Sequence, residues 1–358
     1  MKTVYVTSTQ DFGGKTSLII SLGKRLQRDG HIVGYMKPLS TRTRQVAGQV
    51  MDRDAEFVRQ ELELQDPLDD ITPITLTPLL IEEAMQKPKT ERKRFYSQLS
   101  AAYERVSQGK DALFLEGGRH PLEGALFELS SRQIAELLEA HVLVVVKYDD
   151  SLSIDTAMGL RQVYGERLLG IVLNAVPRMH MRFVQEQARP FLEQNNLPIL
   201  AVLPQERLLL AVSVQELVEH LDGRVICCPE QSGELIEYLM VGAMTASSAV
   251  SYFRRRPNKA VITGGDRHDV QLAALETSTR CLILTGNQEP SNVVITRAKE
   301  VRVPIVVVKP DTLTTVRVTE QIFGKTSLHQ DKKVARFSNI LQERFDLERF
   351  YDLVGIQT

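Results

Sequence analysis

The first part of the chain alternates short aliphatic runs with amphipathic stretches. The runs predict strands at residues 4–7, 31–37, 112–115, 142–147, 170–174 and 199–203. In the stretch 16–29, Leu18, Ile19, Leu22 and Leu26 lie on one helical face, and Gly30 follows at the position of a C-cap glycine. Continuous apolar strands that alternate with helices are typical of a parallel sheet covered on both faces. The pattern therefore predicts a parallel α/β fold.

A shift in composition after Pro204 predicts a second, smaller α/β domain. Strand-like runs begin again at residues 224–228, 260–263, 281–285 and 305–308. We predict domains at 1–207 and 208–320, followed by a helical tail at 321–358. The tail is charged, with Leu341, Phe345 and Phe350 as its apolar residues. We expect it to dock on the second domain or on a partner chain.

Composition and charge exclude several classes of protein. The 358 residues contain 44 Lys and Arg against 45 Asp and Glu, so a nucleic-acid partner is not expected. No aliphatic run approaches the ~18 residues that a membrane-spanning helix needs. The cysteines are Cys227, Cys228 and Cys281, an odd number with no C-x-x-C pair. They indicate reduced thiols in the cytoplasm rather than disulfides or a zinc site.

A glycine-rich turn between the first strand and the first helix carries the candidate phosphate chemistry. The candidate ligand-binding residues of this turn are Gly13, Gly14, Lys15, Thr16 and Ser17. Glycines let backbone N–H groups approach phosphate oxygens, and the helix N-terminus adds a positive partial charge. Lys15 can reach the β and γ oxygens of a nucleotide, and the Thr16 hydroxyl can ligate Mg²⁺. Thr9 stands where the usual pattern has its first glycine.

Further polar residues are predicted at the same edge of the sheet. Glu116 ends a hydrophobic strand, so its carboxylate falls on the edge where Thr16 lies and can hold Mg²⁺. Lys37 also ends a strand, and a lysine beside phosphates can neutralise charge that develops during transfer. Asp52 and Asp54 precede a helix, and either can be its N-cap, while Asp54 can also be a metal ligand. The predicted metal ligands are Thr16, Asp54 and Glu116, and the catalytic candidates are Lys15 and Lys37.

These pieces, in this order and spacing, resemble the dethiobiotin synthetase-like branch of the P-loop ATPases, over about residues 1–206. The resemblance implies ATP and Mg²⁺ as cofactors, bound through Lys15, Thr16, Lys37, Asp54 and Glu116. It also implies that Asn174 contacts the adenine base and that Pro204 lies in the loop that closes over it. Residues 10–13 and 117–121 depart from the substrate-binding segments of that group. The resemblance therefore implies nucleotide binding more than dethiobiotin synthesis.

A second glycine turn, Gly264-Gly265-Asp266-Arg267, follows the predicted strand 260–263. The glycines expose backbone donors, Asp266 can cap the next helix, and Arg267 offers a planar donor fork. Two interpretations stay open. The turn is either a small-anion or dimer-contact site, or a structural turn in which Arg267 pairs with Asp266 or Asp269.

Residues 210–320 around this turn resemble the DRTGG domain. A P-loop domain followed by this domain is similar to the N-terminal part of long bacterial phosphate acetyltransferases. The sequence given ends at Thr358. The resemblance therefore implies a stand-alone regulatory protein without the acetyl-transferring domain. It also implies self-association and a small-molecule effector at the second domain.

Three functional hypotheses follow. The first is a MgATP-binding regulatory protein whose second domain senses a ligand or forms a dimer. The second is a ligase that uses ATP to activate a carboxylate or carbamate, with Lys37 stabilising the transition state. The third is an ATP-switched partner-binding ATPase, but no lysine lies between Lys2 and Lys15, where such proteins carry one. Whether the protein is an enzyme stays open, although acetyl transfer is not expected.

Overall fold

The chain forms two units, which are described separately. The computed structural model describes every residue except 42, 47–48, 87, 325–329 and 357–358, and for 43–46, 49–51 and 88 it describes the backbone only. The first unit comprises Met1–Gln205 together with Ser327–Thr358, and the second comprises Glu206–Thr326.

The first unit is a parallel α/β layer structure. Its strands are β1 (Lys2–Ser8), β2 (Val33–Met36), β3 (Leu39–Ser40), β4 (Thr43–Val46), β5 (Gln49–Asp52), β6 (Ile74–Thr75), β7 (Ala112–Glu116), β8 (His141–Lys147), β9 (Leu168–Val176) and β10 (Ile199–Pro204). Its helices before the second unit are α1 (Lys15–Arg28), α2 (Arg53–Glu61), α3 (Leu68–Ile71), α4 (Pro78–Ala84), α5 (Pro88–Ser107), α6 (Ser131–Leu137), α7 (Leu152–Tyr164), α8 (Met181–Phe183) and α9 (Arg189–Gln194). A π-helical stretch, Val184–Ala188, joins α8 to α9.

The main sheet has six strands in the order β10-β9-β8-β1-β7-β2, and every neighbouring pair is parallel. Both faces of this sheet are covered, because each residue from Val142 to Val146 in β8 is at most 1% exposed. An unbroken apolar strand is stable only in such a doubly covered sheet. The predicted parallel α/β fold is therefore confirmed.

The order of the strands brings the polar strand ends together. The chain passes from β1 to β2 on one side of β1, and it later adds β8, β9 and β10 on the other side. Ligands of open α/β sheets bind at such a reversal, outside the carboxyl ends of the strands. In this unit β1 ends at Ser8 and β7 ends at Glu116, with Val6 paired to Glu116.

The second unit contains a smaller sheet. Its strands are β11 (Val212–Ser213), β12 (Arg224–Cys227), β13 (Leu235–Ile236), β14 (Tyr238–Val241), β15 (Lys259–Gly264), β16 (Thr279–Thr285) and β17 (Ile305–Val307). Its helices are α10 (Arg207–Leu210), α11 (Val214–Leu221), α12 (Ala246–Phe253), α13 (His268–Leu275), α14 (Asn292–Glu300) and α15 (Thr312–Ile322). The five-stranded sheet has the order β12-β17-β16-β15-β14, parallel except for the β12–β17 pair.

The C-terminal helices α16 (Asp331–Arg344) and α17 (Leu347–Val354) belong to the first unit. The expectation that the tail docks on the second domain is therefore wrong, while docking on a partner chain stays a prediction. Helix α16 packs against α1 and β10, where the Ser338 and Ser21 hydroxyls are 2.8 Å apart. The Asp346 N–H donates to the Leu200 carbonyl, and the Phe350 side chain is fully buried. Apolar burial against α1 and β10 explains this position.

Two further findings concern helix length and the cysteines. No helix among them is long and apolar enough to cross a membrane. Cys227, Cys228 and Cys281 are free and buried.

Candidate functional site

The glycine turn places a left-handed backbone before α1. Gly14 has φ +99° and is the N-cap of the helix, so Lys15 begins α1. A Cβ on Gly14 would lie 2.6 Å from Asn174 Nδ2, and one on Gly13 would lie 2.7 Å from Ser8 Cβ. Glycine is therefore required here both by the backbone conformation and by the lack of space. The first turn of α1 presents unpaired backbone N–H groups, as an anion site needs.

Lys15 lies folded against the strand that precedes the turn. Its side chain is buried, and its ammonium donates a 2.9 Å hydrogen bond to Ser8 Oγ. The Ser8 hydroxyl in turn donates to the Gln10 carbonyl at 2.6 Å. Burial lowers the pKa of Lys15, while the nearby Glu116 carboxylate opposes that effect. The lysine is thus held at the edge of the sheet where a phosphate would lie.

Thr16 and Glu116 meet, as the sequence predicts. The Thr16 hydroxyl donates to Glu116 Oε1 at 2.8 Å, and the Tyr35 hydroxyl donates to Oε2 at 2.8 Å. Burial raises the pKa of the Glu116 carboxyl, although Lys37 and Lys15 attract its ionised form. Burial, followed by the charge of Glu116, raises the pKa of Tyr35 well above its ordinary value. A hydroxyl oxygen and a carboxylate oxygen, both of which are possible ligands of a metal ion, therefore lie next to each other at the start of α1.

Lys37 lies between two carboxylates. Its Nζ atom is 2.9 and 3.0 Å from the two Asp52 oxygens and 3.3 Å from Asp54 Oδ2. Burial disfavours the charged ammonium, but the attraction of Glu116, Asp54 and Asp52 outweighs it and raises the pKa of Lys37. Asp52 is the N-cap of α2, where it accepts the Ala55 N–H, while Asp54 lies in the first turn.

The two residues assigned to the base lie farther along the edge. Asn174 Nδ2 donates to the Gly13 carbonyl at 2.8 Å, and its Oδ1 accepts the Ala175 N–H at 2.8 Å. Asn174 thus supports the glycine turn from β9. Pro204 is the last residue of β10, half-buried at the same sheet edge. Adenine contact by either residue stays a prediction.

A buried glutamate beside this edge, Glu123, was missed by sequence analysis. Glu123 accepts the Arg119 N–H at 2.7 Å, Arg119 Nε at 2.9 Å and the Thr41 hydroxyl at 2.9 Å. Burial acts against ionisation, but these donors lower the pKa of Glu123. In the sequence, the Gly117-Gly118 pair after β7 was the one feature that could have indicated this contact. A Cβ on Gly118 would lie 2.0 Å from Glu123 Oε2, so only glycine fits there. Glu123 therefore fixes the loop that follows Glu116.

The second-unit turn is held by its own neighbours. Gln271 Nε2 donates to the carbonyls of Gly264 and Gly265, and a Cβ on Gly265 would lie 2.4 Å from Gln288 Cβ. Arg267 donates to the Met244 carbonyl at 2.8 Å and lies 3.4 Å from Asp269. This geometry favours the structural turn with the Arg267–Asp269 pair.

The expectation that Asp266 caps the next helix is wrong. The N-cap of α13 is Arg267, without a side-chain cap bond, because the helix begins one residue later than a cap at Asp266 requires.

The residues at the first-unit edge fit a magnesium–nucleotide complex by their chemistry. Hydroxyl and carboxylate oxygens, such as those of Thr16 and Glu116, are suitable ligands for Mg²⁺. The backbone at Gly13 and Gly14 leaves no room for a Cβ atom. The buried Ser17 hydroxyl has no hydrogen-bond partner among the described residues. The described part of the chain holds no group of three or more His, Cys, Asp or Glu side chains that could bind a metal alone.

A parallel sheet with a glycine turn, a lysine and a hydroxyl at the start of α1 defines a P-loop NTPase domain. The chain belongs to the AAA domain family (AAA_26), whose sequence model matches residues 2–213. The DRTGG domain model matches residues 216–322. The suspected pair of domains, which occurs in the N-terminal part of phosphate acetyltransferases, is therefore confirmed.

Curated relatives show the same two similarities. The phosphate acetyltransferase of Nitratidesulfovibrio vulgaris is 23% identical over an alignment that covers 96% of this chain and 50% of that protein. The phosphate acetyltransferase of Nitrosomonas europaea is 24% identical over 76% of this chain and 39% of its own length. The chain thus spans half or less of the length of these acetyltransferases. The ATP-dependent dethiobiotin synthetase of Methanococcus vannielii is 24% identical over 56% of this chain and 92% of its own length.

Among solved structures, cobyrinic acid a,c-diamide synthase from Mycobacterium smegmatis, with bound ADP and magnesium, has a TM-score of 0.35. It is 13% identical and covers 58% of this chain and 88% of its own.

Proposed function

We propose that the protein binds MgATP in its first unit and acts as a regulatory protein, with a ligand-sensing or dimerising second unit. The observation that carries the proposal is the meeting of the Thr16 hydroxyl with Glu116, next to the buried Lys15, at the start of α1. Thr16, Glu116 and Asp54 are the residues that would hold Mg²⁺, and Lys15 would contact the phosphates. The bound ion would neutralise charge on phosphate oxygens.

The other residues around the glycine turn also have tasks in this proposal. The N–H groups at the start of α1 bind phosphate oxygens, and the ammonium of Lys15 leaves Ser8 to join them. Asn174 holds the turn open through the Gly13 carbonyl, and Pro204 borders the base. The buried Ser17 hydroxyl gains a partner when phosphate is present.

Isothermal titration calorimetry with MgATP tests the proposal. Lys15→Ala removes the ammonium, and we expect affinity to fall at least about 100-fold, or ~2.7 kcal/mol. Lys24→Ala is the matched control, because Lys24 lies on the same helix but pairs with Glu61 away from the turn. Equal affinity of Lys15→Ala and wild type, or no MgATP binding by wild type, contradicts the proposal.

A ligase function is the second candidate, favoured by Lys37 at the same edge as Lys15. Such an enzyme would activate a carboxylate or carbamate with ATP, and Lys37 would stabilise the charge that develops. Phosphate release in the presence of candidate acids tests it. Release that no added acid stimulates counts against the ligase.

The remaining parts of the proposal concern assembly and location. Light scattering with and without MgATP tests self-association, and a constant monomer mass contradicts it. The free, buried cysteines of the second unit suit a reducing compartment, so we place the protein in the cytoplasm. An effector at Gly264–Arg267 stays a prediction.

A further inference from the structure

The Lys37 ammonium is fully engaged by groups of the protein itself. Its side chain is 7% exposed, and the nearest carboxylate, Asp52, is 0% exposed. An ammonium has three donors, and the oxygens of Asp52 and Asp54 lie within 3.3 Å of it. An anionic acceptor would need the same donors. It would therefore compete with carboxylates that are already in place.

Asp52 is the fixed member of this arrangement. It accepts the Ala55 N–H at 3.0 Å as the N-cap of α2, and it also accepts the Ser40 hydroxyl. Asp54, in contrast, is 22% exposed in the first turn of the helix. An aspartate that is held by a backbone donor, a hydroxyl and an ammonium does not move aside without leaving those groups unpaired in the interior.

We propose that Asp52 is a specificity-determining residue that occupies the place of an anionic acceptor at Lys37. The site then admits a nucleotide and its metal but excludes a carboxylate or carbamate acceptor. The inference rests on the proposed nucleotide site, and it favours a binding role over the ligase. It also gives Lys37 a task, which is to balance the negative charge of Asp52 and Asp54 beside Glu116.

Asp52→Asn tests the inference with little change of shape. Asparagine caps helices as well as aspartate, so the bond from Ala55 N–H is kept while the charge is lost. Asp69→Asn, at an exposed aspartate of α3, is the matched control. Circular dichroism and thermal unfolding check that both variants fold.

The first readout needs no nucleotide. Brief acetylation with acetic anhydride, followed by peptide mass spectrometry, measures the reactivity of Lys37 against that of Lys24. We expect at least tenfold faster acetylation of Lys37 in Asp52→Asn than in wild type and Asp69→Asn. Equal acetylation in all three proteins overturns the inference.

The second readout uses succinate as an anionic probe in the presence of MgADP. We expect at least tenfold tighter succinate binding by Asp52→Asn than by wild type. Equal binding, or no binding by either protein, overturns the inference. MgADP binding is measured first in each protein. Its absence in wild type contradicts the proposed nucleotide site, whereas the acetylation result still decides the role of Asp52.

Discussion

The Thr16 hydroxyl donates a 2.8 Å hydrogen bond to Glu116, although the two residues are 100 positions apart. Helix α1 supplies the hydroxyl and strand β7 supplies the carboxylate, and parallel pairing of β1 with β7 brings them to one edge. Both oxygens of Glu116 accept hydroxyl donors rather than a backbone N–H. A hydroxyl group that donates to a carboxylate can instead use its oxygen to ligate a metal ion. The pair is therefore suited to reversible binding of a metal ion.

Binding of MgATP should release a proton from Glu116. Burial raises the pKa of this carboxyl above its ordinary 4.5, so the folded protein holds a proton in a pH range where the free acid has lost it. Mg²⁺ needs the ionised form. Affinity should therefore rise as pH increases from 4.5 through the shifted pKa.

Calorimetry at a series of pH values above 4.5, in buffers of different ionisation enthalpy, measures this proton release. Glu116→Gln should abolish the release and weaken Mg²⁺-dependent binding at least tenfold. Wild-type binding without proton release and with no dependence on pH would refute the assignment of Glu116.

Gly14→Ala should damage the glycine turn before α1. The new Cβ would stand 2.6 Å from Asn174 Nδ2, at φ +99°, where an L-residue costs about 1–2 kcal/mol. We expect a loss of stability of that size in urea unfolding and at least tenfold weaker MgATP binding. Gly159→Ala in α7 is the control, because nothing lies within 4 Å of its Cβ. It should stabilise the protein by about 0.5–1 kcal/mol and leave binding unchanged.

Lys259 should lower the stability of the second unit. It is fully buried at the start of β15, and its Nζ atom has no hydrogen-bond partner among the described residues. Burial lowers its pKa from 10.5 to about 8. Between these values the unfolded chain binds more protons than the folded protein, so stability should rise as pH increases from about 8 to 10.5.

Lys259→Met removes this cost. We expect a gain of about 3 kcal/mol at pH 7 and a flatter dependence of stability on pH above 8. Lys309→Met is the control, because its side chain is 76% exposed. A variant that is less stable than wild type at pH 7 would show that Lys259 has a favourable partner.

The central fold and the glycine turn before α1 were predictable because their signals are local. Unbroken runs such as 142–146 predict a doubly covered parallel sheet, and a parallel sheet places the residue after each strand on one edge. That rule alone puts Glu116 beside Thr16. Their roles as ligands of Mg²⁺ stay predictions, because position at an edge does not establish binding.

The features that sequence analysis missed depend on contacts between distant segments. Strand β14 was not predicted, because four residues give only a weak pattern. The burial of Lys259 was not predicted either, because a lysine at the start of a strand is usually exposed. The engagement of Lys37 by Asp52 depends on a hairpin, β4–β5, that returns Asp52 to the sheet edge. The apolar face of the tail predicts a helix that packs against the protein, but it does not predict which surface the helix packs against.

Phe350→Ala should weaken the first unit, since α17 packs on β10. The side chain is 0% exposed and lies edge-on to Phe345 at 5.6 Å between ring centroids. A buried Phe→Ala substitution costs about 3–5 kcal/mol, so we expect a loss of that size in urea unfolding. Leu353→Ala, at a residue of the same helix that is 38% exposed, should cost less than about 1 kcal/mol.

Hydrogen exchange then locates the effect of Phe350→Ala. Tyr351, the next residue, donates to Asp29 directly after α1, and the N–H of Asp346 donates to Leu200 in β10. Exchange should therefore become faster in β10 and at the end of α1, while the strands of the second unit keep their protection. Faster exchange in β15 and β16 with no change in β10 would contradict the assignment of the tail to the first unit.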